Sequence, residues 1–136
     1  MLAGMPADGQ VTALALLPAA GLVPGSARLF RGPVGLQAVY TLGDGDILRL
    51  GGKLTAAAGD YKDASGAYTL VVAEYASPGE AAAALKHLTS NLDTYLKARS
   101  ATGSRLVFED YEKRFGVASV AGKRLEVRLH LAKPPA

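Results

Sequence analysis

The chain has 136 residues, enough for one domain with a true hydrophobic core. Hydrophobic residues make up 49% and charged residues 20%, with no Trp and three Phe, so the core must be built largely from Ala, Leu, Val and Tyr. The formal net charge of +3 is mixed with acids along the chain, as in Glu109, Asp110, Glu112, Lys113 and Arg114, which argues against a nucleic-acid surface. The absence of Cys excludes disulfides, thiolate metal sites and a Cys nucleophile.

Residues 1–10 read as a disordered or expression-derived N-terminus, and 11–136 as a single α+β domain. The longest apolar run, Ala13 to Ala20, contains Pro18 and falls short of the ~20 residues that span a bilayer. No Lys or Arg precedes it, so it does not read as a signal peptide. Ala27 to Arg31 is a short extended piece within a turn-rich stretch. Pro33 suits the first position of a helical turn leading to Tyr40, although Val39-Tyr40-Thr41 fits a strand equally well.

The next stretch, Gly43-Asp44-Gly45-Asp46-Ile47-Leu48-Arg49-Leu50-Gly51-Gly52-Lys53, looks like chemistry. A calcium loop opening at Asp44 would need a ligand at Leu48 and a Gly at Arg49, and it has neither. A phosphate loop ending at Gly52-Lys53 would need a Gly at Ile47 and a Ser or Thr at Leu54. Both patterns fail. What remains is a turn, a short apolar segment at Ile47, Leu48 and Leu50, and a second turn.

Lys53 to Lys62 and Ala67 to Ala76 flank the polar loop Asp63-Ala64-Ser65-Gly66, which predicts a β-hairpin. The second strand is apolar on both alternating faces and belongs in the middle of a sheet. Ser77-Pro78-Gly79-Glu80 then carries a capping residue, a first-turn Pro and the Glu of a capping box. Ala81, Leu85, Leu88, Leu92 and Tyr95 or Leu96 recur at spacings of three and four, so one long helix is expected through to about Ala98. Arg105 to Arg114 reads as a strand, and Val117 to Val120 with Lys123 to Ala132 as a hairpin around Ala121-Gly122. The expected architecture is α+β: an antiparallel sheet of about five strands, one long helix packed across one face, and a short N-terminal helical segment.

Candidate sites are sparse. His87 sits at the edge of the helical stripe, and His130 is placed by alternation on the wet face of the last strand beside Arg128. Neither has a ligand partner at metal spacing. Glu109, Asp110 and Glu112 could hold a general acid and base, yet Lys113 and Arg114 follow directly, as on a solvated edge. No G-x-S-x-G elbow is present. The tyrosines hold more interest, because Tyr combines apolar area with a polar tip. Tyr61, Tyr68 and Tyr75 fall in or beside the hairpin, and Tyr111 lies on a later strand. Glu74 interrupts the apolar central strand and would need an Arg partner if buried.

The segments "LLPAAGLVPGSARLFRGP", Leu54 to Tyr61 and "YTLVVAEYASPGEAAAALKHL" resemble an uncharacterised bacterial family labelled as a domain of unknown function. The likeness covers roughly Leu16 to Ala132 and corresponds to one of the two related halves of its members. The resemblance implies a bacterial origin and export, with the signal segment lying outside this chain; a cytoplasmic location is the other expectation. It brings no catalytic residues and no cofactor.

The expected function is a non-enzymatic binding or structural module with a protein or small-molecule partner. The alternative is a small-molecule-binding or enzymatic domain, a homodimer through its sheet, with a pocket lined by Tyr61, Glu74, Tyr75 and Tyr111. Neither reading calls for nucleic acid, a membrane span, a metal or a cofactor.

Overall fold

Strand-forming segments dominate the folded chain. The computed structural model describes residues 15–43, 45–51, 54–64 and 66–133. The expectations for residues 1–10, the start of the first apolar run, Asp44, Gly52, Lys53, Ser65 and Pro134-Pro135 lie outside these. Among the described residues seven strands form one antiparallel sheet: β1 (Arg28–Phe30), β2 (Ala56–Asp63), β3 (Gly66–Glu74), β4 (Lys97–Ala101), β5 (Arg105–Glu109), β6 (Phe115–Ala121) and β7 (Arg124–Leu131). Their order across the sheet is β1-β2-β3-β7-β6-β5-β4. Among the described residues two helices accompany them, α1 (Pro33–Gln37) and α2 (Pro78–Ser90).

This corrects the expected architecture, a five-strand sheet under one long helix. The sheet has seven strands, and α2 has 13 residues. Its start is as the capping residues predict, with Ser77 Oγ accepting from the Glu80 N–H at 3.1 Å. Its end is not. The Asn91 N–H turns back to the carbonyls of His87 and Leu88, and the Asn91 side-chain amide also donates to His87 O. The Asp93 carboxylate then accepts from the Tyr95 N–H, a local bond that competes with the helical ladder. The apolar spacing ran on through Leu92, Tyr95 and Leu96, but spacing carries no stop signal. The chain instead enters β4, an edge strand whose first residues, Lys97 and Ala98, were expected to close the helix. The other uncounted strand, β1, is three residues long and pairs Arg28–Phe30 with Ala56–Ala58.

Register sorts the side chains onto two faces. Val71 and Ala73 of β3, Leu125, Val127 and Leu129 of β7, and Leu106 and Phe108 of β5 pack on one face against Ala81, Ala84, Leu85 and Leu88 of α2. On the other face Leu16 and Leu17 cover Ala57, Tyr61, Leu70 and Val72. β3 is therefore covered on both sides, as its unbroken apolar run requires.

The glycine-rich stretch of the sequence completes the first core. Ile47, Leu48 and Leu50 are fully buried. Burying each contributes about 1.5–3 kcal/mol. The Asp46 carboxylate accepts from the N–H groups of Leu50 at 3.0 Å and Gly51 at 2.7 Å. Its chemistry is that of a loop cap. The intervening Arg49 takes a left-handed φ of 55°.

Candidate functional site

A cleft of about 400 Å³ opens at one end of the sheet. Three loop segments and the end of β7 meet there. The first follows α1 and brings Tyr40. The second follows α2 and brings Asp93, Tyr95 and Leu96. The third is the turn between β5 and β6, with Asp110, Tyr111 and Glu112.

The turn is built around Asp110. Arg105 to Arg114 was expected to be one strand, but β5 stops at Glu109. Asp110 Oδ1 accepts from the N–H groups of Glu112 at 2.9 Å and Arg114 at 3.0 Å, which folds the chain back. Lys113 takes a left-handed φ of 63° to close the turn. Asp110 is only 7% exposed. Its other oxygen, Oδ2, accepts from the Tyr40 hydroxyl at 3.1 Å. Burial pushes the Tyr40 phenol well above its ordinary pKa, and the charge and hydrogen bond of Asp110, then the charge of Glu112, push it further the same way. The phenol stays protonated and keeps donating.

His130 reaches the cleft through an irregularity. Alternation along β7 placed it on the wet face with Arg128. The β6–β7 register shifts between Phe115 and Val117, and His130 adopts a φ of 65°. Such a shift re-aims one side chain. The imidazole packs edge-on against the Tyr40 ring, with centroids 5.2 Å apart, on the side of the sheet that carries the main core. A period-two reading cannot foresee this, because one extra residue reverses the phase.

Tyr95 and Tyr111 also line the cleft. They are 74% and 78% exposed, and their rings meet edge-to-face at 6.5 Å. Among the described residues the only other exposed large hydrophobic side chain is Val23, at 40%.

The sequence-derived residues are dispersed. Tyr61 lies under Leu16 and Leu17 on the second face, stacked on Tyr68, and its hydroxyl donates to Pro18 O at 2.7 Å. Tyr75 is buried in the first core and donates to Leu48 O. Burial raises both phenols above their ordinary pKa. Glu74 is 39% exposed and faces Arg124 at 3.7 Å, a surface pair of small energetic consequence. Tyr111 alone of the four lines the cleft. Tyr61 and Tyr75 act as struts, each fastening a loop carbonyl to the sheet. Tyr40, Tyr95 and Asp93 were missed as site residues. Tyr95 had been placed in a helical stripe, and nothing local to Tyr40 announces a partner seventy residues on.

Among the described residues no three His, Asp or Glu side chains close on a point that could hold a metal ion, and no helix is long and apolar enough to cross a membrane. Comparison with protein-family models, curated proteins and solved structures finds no significant match.

Proposed function

We propose that the chain is a binding module whose ligand enters the cleft at Tyr40, Tyr95, Asp110, Tyr111 and His130. The observation that carries this reading is the pair Tyr95 and Tyr111, two large rings left mostly in solvent at the same concavity. Folding leaves aromatic rings in water at a cost, and such rings recur where a partner will cover them. The base of the cleft is fixed, because Tyr40, Asp110 and the turn backbone satisfy one another. That preorganisation lowers the entropy lost on binding. The Tyr40 hydroxyl beside Asp110 is held protonated by burial and by that carboxylate, so the reading is binding without covalent chemistry. A bacterial, exported setting with a companion half follows from the family resemblance and belongs to the same proposal.

The test is a thermal-shift screen of the wild-type chain and the double variant Tyr95→Ala/Tyr111→Ala. Both rings are exposed, so the variant should fold. A ligand that binds the native state raises the melting temperature. A shift present in the wild type and lost in the variant supports the cleft. A shift that survives in the variant puts the site elsewhere.

A further inference from the structure

We infer that the ligand of this cleft is an organic cation with apolar shoulders, a methylated ammonium group being the best match; this rests on the binding reading above. The chain carries a formal charge of +3, yet the cleft runs the other way. Among the described residues Asp93, Asp110 and Glu112 line it, and no Lys or Arg does. Lys113 and Arg114 belong to the same turn and stay outside the lining. Three carboxylates give the opening a negative potential. The same potential reaches Tyr40, whose phenol resists ionisation partly because of Asp110 and Glu112.

The carboxylates are unequally committed. Asp110 is satisfied by three hydrogen bonds within the protein. One oxygen of Asp93 is occupied by the Tyr95 N–H. The Glu112 carboxylate is exposed and has no hydrogen-bond or ion-pair partner among the described residues. It is the group left over to meet a ligand.

The choice of cation follows from geometry. A bare metal ion needs several oxygens converging on one point, and the described residues offer no such cluster. An anion or phosphate would meet three negative groups. The faces of Tyr95 and Tyr111 suit a bulky, weakly hydrated cation, which gains from the ring quadrupole and loses little water. A volume of about 400 Å³ accommodates such a head group.

The full chain is titrated in parallel with choline and with 3,3-dimethylbutan-1-ol, its uncharged isostere, following tyrosine fluorescence, which no Trp obscures. Choline is expected to bind at least about tenfold tighter than the isostere. Glu112→Gln should narrow that ratio, and Tyr95→Ala/Tyr111→Ala, followed by titration calorimetry because it removes two of the fluorophores, should abolish binding of both. A trimethyllysine peptide run alongside tells a free ligand from a side chain, by which of the two binds tighter. Equal binding of choline and the isostere overturns the cation and leaves the cleft standing, as does a sugar or anion whose binding needs Tyr95 and Tyr111. No binding of choline, the isostere, the peptide or any compound of the screen overturns both.

Discussion

The Tyr40 hydroxyl donates to Oδ2 of Asp110 across seventy residues of chain, and this 3.1 Å bond joins the segment after α1 to the turn that shapes the cleft. Asp110 also holds that turn closed through two backbone N–H groups. Asp110→Ala leaves all three donors without their acceptor and should destabilise the protein by about 2–3 kcal/mol. Tyr40→Phe removes one bond and should cost about 1 kcal/mol. Urea unfolding of the two variants checks the order; equal losses would mean that Asp110 matters through Tyr40 alone.

Gly116 is required by Phe108. A β-carbon at position 116 would run into the far edge of the Phe108 ring, which is fully buried across the β5–β6 pair. Gly116→Ala should therefore cost about 1–3 kcal/mol through overpacking. Phe108→Leu costs stability by itself, since it shortens a buried side chain. In the double variant the two losses should be clearly less than additive, because the shorter residue clears the space. Melting temperatures of the four proteins in this cycle provide the measurement.

The loop at Ile47 to Leu50 should behave as core. Leu48→Ala is expected to destabilise by about 2–5 kcal/mol, the range for a large aliphatic side chain deleted from a packed interior. A loss of a few tenths, as for an exposed loop, would contradict the burial of Leu48. Denaturant midpoints at constant slope would report it.

Alkaline stability follows from three phenols. Tyr40, Tyr61 and Tyr75 all have pKa values raised in the folded state above the ordinary value of 10.0, each through burial first. A raised folded pKa means that the unfolded chain releases its protons earlier. The contribution is intact below pH 10 and is lost as pH climbs above that value, so unfolding should become easier there. Absorbance at the phenolate band should show a late-titrating fraction that appears together with unfolding. Tyr75→Phe should shrink that fraction and flatten the loss of stability above pH 10.

Local patterns were enough for several elements of this protein. The capping residues Ser77 and Pro78 determined where α2 begins, and the apolar run of β3 determined that it is central, because each depends on neighbours within a few residues or on a simple period. The end of α2, the seven-strand count, and the cleft depended on contacts the sequence does not print. Leu42 O accepts the Asp93 N–H and helps fix the path away from the helix, β4 finds its partner in β5, and a shift in register turns His130 towards Tyr40. Those are long-range choices among locally permissible paths. Only packing of the whole chain, which brings Tyr40 to Asp110 and Tyr95 to Tyr111, selects between them.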